Sequence, residues 1–249
     1  MVRGIRNADD FDFEKSVAWE NHNAYGIKKF MYFITDDSFK DISSSNVRKA
    51  ASLLDAESFQ CLSKSVHPKV LSATLEKVLG LQRLYMVVGP PGGGKSTILN
   101  KFKSQSSVVA VADTDKINHK IRKDIEHILG TTDLLGYSLD HPKEFGEAVV
   151  TPWLNELGKM IHDSIKPGIR ELYLEIPYGL QPGKEIYRYV GANVLYIGCT
   201  RETAERRIRD RGTPQHLVFL DLIPDREQSI TICEAEGLML TTMDSEKDF

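Results

Sequence analysis

Leu84-Tyr85-Met86-Val87-Val88-Gly89-Pro90-Pro91-Gly92-Gly93-Gly94-Lys95-Ser96-Thr97 is the stretch whose reading decides the fold. A short apolar run of the kind that forms a buried strand leads into a G-x-x-x-x-G-K-[ST] loop, and a helix start follows. Glycines let the backbone curl until successive N–H groups point inward, and the following helix turns its positive dipole end toward an anion. The spacing predicts a cradle for the phosphates of a nucleoside triphosphate, formed by Gly89, Gly92, Gly93, Gly94, Lys95, Ser96 and Thr97. Lys95 then reaches the β- and γ-phosphates, Ser96 ligates Mg²⁺ and Thr97 touches the α-phosphate. The competing reading is a Gly/Pro turn that merely precedes Lys-Ser, and the flanking strand and helix speak against it. A dinucleotide site is disfavoured, because Thr97 stands where Gly92-x-Gly94 would need its third glycine.

Outward from the loop, β-branched or apolar runs alternate with amphipathic segments, which predicts an α/β domain with a five-stranded parallel sheet flanked by helices. The expected strands are Leu84–Val88, Val108–Ala112, Leu172–Ile176, Val194–Ile197 and Leu238–Thr242. Between the second and third lies a long insertion. Its Val149, Val150, Trp153, Leu154, Leu157, Met160, Ile161 and Ile165 share one helical face, read as core covering the sheet. Upstream, apolar residues fall at helical spacing from Val47 to Leu62 and again from Val70 to Leu79. Residues 1–80 are therefore expected to be a mainly helical N-terminal region, with 81–249 as the nucleotide-binding domain.

Composition bounds the partners. Hydrophobic residues make up 41% of the 249 and the formal net charge is −3, so a full core is available and no global basic field draws the chain to DNA or acidic membranes. Cys61, Cys199 and Cys233 are widely separated and lack C-x-x-C spacing, which fits free thiols in a reducing compartment. No run approaches the apolar length of a membrane span and the N-terminus is acidic, so a cytoplasmic location without membrane attachment is expected.

Three further motifs narrow the class. Guanine-specific GTPases carry N-K-x-D after a late strand, and the nearest match, Asn100-Lys101-Phe102-Lys103, lies in the loop's own helix and ends in Lys. The second strand ends in Asp113-Thr114-Asp115-Lys116-Ile117, where a carboxylate faces the crevice beside the γ-phosphate. Asp113 is read as serving the Mg²⁺ water shell or as a base, and Asp115 as meeting an acceptor hydroxyl. Simple capping of the next helix by Thr114 or Asp115 is the alternative. The third strand ends in Glu175, read as a second-shell Mg²⁺ partner or an acceptor contact, because a carboxylate buried at a sheet end without a cation is costly. After the fourth strand, Arg207 and Arg211 are four apart on one helix face and can converge on the same phosphates; an ordinary solvated charged helix is the alternative.

Over about residues 83–243 these features resemble the group of P-loop kinases that includes nucleoside-monophosphate kinases and shikimate kinases. Asp113-Thr114-Asp115 is similar to the D-T-D-x-x-I element of shikimate kinases, with Ile117 one residue early, and Arg207-Ile208 with Arg211 resembles the R-I-x-x-R of the helix leading into the nucleoside-monophosphate kinase lid. Ile176-Pro177-Tyr178-Gly179 replaces the glycines with which shikimate kinases hold their carboxylated substrate. The resemblance implies a Mg²⁺- and ATP-dependent phosphotransferase acting on a small hydroxyl or phosphate acceptor, with Lys95, Asp113, Asp115, Arg207 and Arg211 catalytic and Ser96, Asp113 and Glu175 around the metal. Two alternatives stay open: a kinase for a nucleic-acid end or modified DNA base, and a nucleotide-hydrolysing regulatory module. Oligomeric state is not encoded in any motif.

Overall fold

The computed structural model describes residues 1–36, 42–181, 183–191 and 193–247. The chain divides into two compact units, Met1–Val47 and Arg48–Phe249. In the first, β1 (Val2–Ile5) and β2 (Met31–Ile34) pair in parallel, with Val2 opposite Met31, and α1 (Ala8–Tyr25) connects them. The Asn7 side chain accepts the Asp10 N–H and starts α1.

The second unit begins within α2 (Ser44–Leu53), followed by α3 (Ala56–Ser65) and α4 (Pro68–Leu79). Then come β3 (Arg83–Val88), α5 (Lys95–Gln105), β4 (Val109–Asp113), α6 (Asp115–Leu129), α7 (Leu134–Asp140), α8 (Pro142–Ser164) and β5 (Glu171–Glu175). The chain continues through α9 (Tyr187–Val190), β6 (Asn193–Gly198), α10 (Arg201–Asp210), a 3-10 turn (Pro214–Val218), α11 (Phe219–Leu222), α12 (Arg226–Ala235) and β7 (Met239–Asp244).

The first eighty residues hold the helices α1 to α4 and, beyond the helical expectation, a two-stranded parallel sheet, and the compact units part at Val47–Arg48 rather than at residue 80. The helices α3 and α4 pack on α8 and α9, which places them with the larger sheet.

That sheet is five-stranded and parallel throughout, in the order β4-β5-β3-β6-β7. Helices cover both faces, which is why its central strands read as unbroken apolar runs rather than alternating ones. On the α5 side, Val87, Val109, Tyr173, Leu195 and Ile197 pack with Ile98 and Leu99. The insertion stripe buries Trp153, Leu154, Leu157 and Ile161 as α8 lies on β4, α6 and α3. Gly158 allows the closest approach, since a Cβ there would fall 1.6 Å from the Leu54 carbonyl oxygen.

Leaving β3, the chain crosses β5 to reach β4; leaving β6, it turns the other way to β7. An open parallel sheet gains a crevice at the carboxyl ends of strands where connections diverge in this manner. The loop after β3 lies there. No helix among the described residues is long and apolar enough to cross a membrane.

Candidate active site

The loop Gly89–Gly94 joins β3 to α5 and packs tightly against β6 and α10. Gly89 has φ 133°, and a Cβ on it would lie 2.1 Å from the Ile197 carbonyl oxygen, so glycine is required by both conformation and space. Gly94 begins α5 at φ 90° with no side-chain cap, which leaves the first amides of α5 to an outside acceptor. Ser96 and Thr97 are exposed at this helix start.

Lys95 is only 6% exposed. Its Nζ donates to the carbonyl oxygens of Gly89 at 2.9 Å and Pro90 at 2.8 Å, and no carboxylate among the described residues pairs with it directly. Burial pushes the ammonium below its ordinary value, opposed by the charges of Glu175 and Asp115, while Arg211 pushes it down further.

Asp113 and Glu175 are register partners at the ends of β4 and β5. Two residues along from Val111 and Tyr173, they share the α5 face of the sheet. Ser96 Oγ donates to Glu175 at 3.3 and 3.4 Å from its two carboxylate oxygens. Ser96, Asp113 and Glu175 line a cavity of about 200 Å³, with Leu99, Asn100, Lys103, Val111 and Lys116 as its other walls. Burial raises the Glu175 carboxyl, Lys95 lowers it, and Asp113 raises it again.

Asp115 does not continue the strand facing of Asp113, because α6 starts at Asp115 itself. The Asp115 N–H donates to Asp113 Oδ1 at 3.0 Å, and the buried Thr114 hydroxyl donates to the Glu175 carbonyl at 2.7 Å. Thr114 therefore pins the helix start to β5 instead of capping it, and the capping contact is made by Asp113. Solvent reaches Asp115, yet surrounding protein raises its carboxyl and the Asp113 charge raises it further, with Lys95, His119 and His216 opposing. The carboxylates thus split: Asp113 turns to Ser96 and Glu175, whereas Asp115 neighbours Tyr178.

Arg207 and Arg211, which helical spacing puts on one face, are also divided. Arg207 Nη1 donates to Gly92 O at 3.1 Å and to Ser245 Oγ at 2.8 Å, so it braces the loop from behind. Arg211 is exposed and near enough to act on Lys95. Arg201 and Arg209 pair with Glu205, as expected of a solvated helix face.

The segment after β7 joins the site without any motif of its own. The Ser245 N–H donates to Gly198 O at 2.8 Å, and Glu246 accepts the Thr200 N–H at 3.1 Å and the Thr203 hydroxyl. Nothing in Asp244-Ser245-Glu246 signals a partner; only the course of β7 beside β6 brings these residues to the loop.

Among the described residues, no three His, Cys, Asp or Glu side chains form a metal cluster. The oxygen donors at Ser96, Asp113 and Glu175 suit Mg²⁺, which takes one or two protein groups and completes its shell with water and phosphate.

No family model matches this sequence, and no curated protein matches it. Among solved structures the chain is similar to one described as the crystal structure of TT1252 from Thermus thermophilus, at 23% identity and a TM-score of 0.47, with 59% of this chain and 83% of that chain covered.

Proposed function

We propose that this chain is a Mg²⁺-dependent kinase of the P-loop type that moves the γ-phosphoryl group of ATP to a small acceptor. The observation that carries this reading is one convergence. A glycine loop, an uncapped helix start, a buried lysine and the carboxylates Asp113, Asp115 and Glu175 meet at the carboxyl ends of β3, β4 and β5. The loop amides and the α5 terminus hold the phosphates, and Lys95, already desolvated, gives up carbonyl contacts for phosphate oxygens. Ser96 and Glu175, with Asp113 beside them, would hold the cation, which when bound would offset negative charge on the phosphates.

Asp115 takes the acceptor side. The new bond joins the acceptor oxygen to the γ-phosphorus while the bond to the β–γ bridging oxygen breaks. The hydroxyl proton passes to the Asp115 carboxylate, and the electron pair of the broken bond leaves with ADP. Arg211 stands where it can offset charge on the transferring group, and Arg207 keeps the loop in shape.

The test is incubation of the whole protein with Mg²⁺ and γ-labelled ATP against nucleosides, nucleotides, sugars, amino acids and DNA ends. Label transferred to one class supports the reading. Absence of both transfer and Mg²⁺-dependent ATP binding rejects it, and release of labelled phosphate alone favours a hydrolytic module.

A further inference from the structure

We propose that Glu246 and Ser245 are positioning residues: the segment after β7 fixes α10 to the glycine loop, so that Arg211 is carried to the transferring phosphoryl group in a set relation to Lys95. The clasp itself is read from hydrogen bonds; its consequence for Arg211 rests on the kinase reading above.

The first turn of α10 does not complete its own cap. Thr200 is the N-cap and accepts the Thr203 N–H at 3.4 Å. In a reciprocal capping box the third helical residue is Glu or Gln, and its side chain returns to the N–H of the cap residue. Here that third residue is Thr203, and the carboxylate comes instead from Glu246, 46 positions beyond the cap residue. Glu246 accepts the Thr200 N–H at 3.1 Å, the Thr200 hydroxyl at 3.3 Å and the Thr203 hydroxyl. A carboxylate at this end also meets the positive end of the helix dipole. These donors, Thr203 first, hold the Glu246 carboxyl below its ordinary value. The Glu246 N–H in turn donates to Asp244 Oδ1 at 2.9 Å, which ties the carboxylate to the end of β7.

One residue earlier the same segment reaches the loop. Ser245 is 6% exposed, and its N–H donates to Gly198 O at 2.8 Å, at the end of β6. Its hydroxyl accepts Arg207 Nη1 at 2.8 Å, the same nitrogen that donates to Gly92 O. A Cβ on Gly92 would lie 2.6 Å from the Ala204 carbonyl oxygen, and one on Gly94 would lie 2.6 Å from Ser245 Cβ, so loop, helix and segment touch without space between them. The helix is thus held at two points, its first turn by Glu246 and Arg207 by Ser245, about 10 Å apart along the axis at ~1.5 Å per residue. Arg211 stands one turn beyond Arg207, its N–H donating to Arg207 O at 3.2 Å, and it moves with the helix. Its charge is the one that bears on Lys95. Arg201 pairs with Asp221 and Ile208 is buried, so α10 stays folded when the clasp is cut and only its placement is freed.

The full chain is compared with Glu246→Ala, Glu246→Gln, Arg211→Ala and the double variant Glu246→Ala/Arg211→Ala, by ADP formation from Mg²⁺-ATP and by amide hydrogen exchange without nucleotide. Glu246→Ala is expected to lower kcat by ~10-fold, the scale of a misplaced catalytic group, and to raise KM for ATP by no more than ~3-fold. Glu246→Gln, which keeps one acceptor oxygen, is expected to restore part of the loss. In the Arg211→Ala background the same change is expected to cost less than ~2-fold, since the group it positions is gone. Exchange is expected to quicken in residues 89–97 as well as at the start of α10. A Glu246→Ala variant that melts lower with kcat unchanged, or that loses kcat equally in both backgrounds, overturns the positioning role. Faster exchange confined to residues 200–204 overturns the clasp between helix and loop. If wild type forms no ADP, the kinase reading falls and the role of Arg211 falls with it, while the exchange result still decides the clasp.

Discussion

Ser96 and Glu175 are 79 positions apart in sequence, and the Ser96 hydroxyl donates to the Glu175 carboxylate at 3.3 Å. A hydroxyl and a carboxylate are oxygen donors of the kind a hard cation takes, and the kinase reading puts Mg²⁺ beside them. Glu175→Gln keeps the size and removes the charge, so it is expected to raise the Mg²⁺ concentration for half-maximal rate by ~10–100-fold. A Mg²⁺ titration at saturating ATP measures this, and an unchanged midpoint would remove Glu175 from the metal site.

Lys95→Met is expected to lower phosphoryl transfer by ~100-fold or more, the cost of losing a charged contact to a developing anion. The folded protein should survive the change. Burial holds the Lys95 pKa below its unfolded value, so whatever stability this group lends is present above the unfolded pKa and lost as pH falls through the folded one. At neutral pH the ammonium is a cost, and the variant is expected to melt no lower than wild type by calorimetry at pH 7.

Asp113→Asn is expected to lower kcat by ~10²–10⁴-fold with little change in ATP affinity, and to leave the melting temperature nearly unaltered because Asn also accepts the Asp115 N–H. Asp115→Asn, which removes the group that takes the acceptor proton, is expected to lower kcat by ~10²–10⁴-fold as well as to raise KM for the acceptor. The Asp115 carboxyl is raised by its surroundings and by Asp113, so the acid limb of the rate profile should lie above the ordinary ~3.9 of an aspartate and disappear in Asp115→Asn. Its folded pKa lies above the unfolded one, so its contribution to stability is present below the unfolded pKa and lost as pH rises through the raised value. Asp115→Asn should therefore melt higher than wild type at pH 7, and that advantage should vanish in acid. Wild-type kinetics in both variants would leave these residues only their role at the helix start.

The two arginines should separate in kinetics as they do in space. Arg211→Ala is expected to lower kcat with ATP affinity little changed, whereas Arg207→Ala, which frees Gly92 and Ser245, should weaken ATP binding and cost ~1–2 kcal/mol of stability. Denaturant melts and nucleotide titrations of both variants check this. Equal behaviour would restore the pairing that helical spacing suggests.

Much of this arrangement is legible from local pattern, and the failures have a common cause. The strands from Leu84 to Thr242 announce themselves because a sheet covered on both faces needs continuous apolar runs. By contrast, β1 and β2 are four residues each, too short for a period of two to stand out from a helical one, and their pairing spans all of α1. The spacing of two between Asp113 and Asp115 suggests a common facing, but the strand ends at the first and the helix begins at the second. Arg207 and Arg211 share a helix face, yet Arg207 is claimed by Ser245, 38 residues away. Such distant partners leave no mark in either local sequence.

Gly158→Ala ordinarily would stabilise a helix interior by ~1 kcal/mol. Here the added Cβ would meet the Leu54 carbonyl at 1.6 Å, so α8 must move off the chain end of α2. The expected result is a net loss of ~1–3 kcal/mol, read as an earlier urea midpoint. A later midpoint would mean that the approach of α8 to Leu54 is looser than described.

The brace behind the glycine loop also governs when the loop can set during synthesis. Gly94 faces Ser245, and Arg207 ties Ser245 to Gly92. The ribosome makes residues 89–94 early, but the backing that shapes them emerges about 150 positions later, on the order of ten seconds at ordinary translation rates. A nascent chain that already holds β3 and α5 has the glycines and the lysine without the wall behind them. The loop thus gains its full shape only after the strand farthest from β4 has been laid down, and on the kinase reading nucleotide capture would wait for that moment.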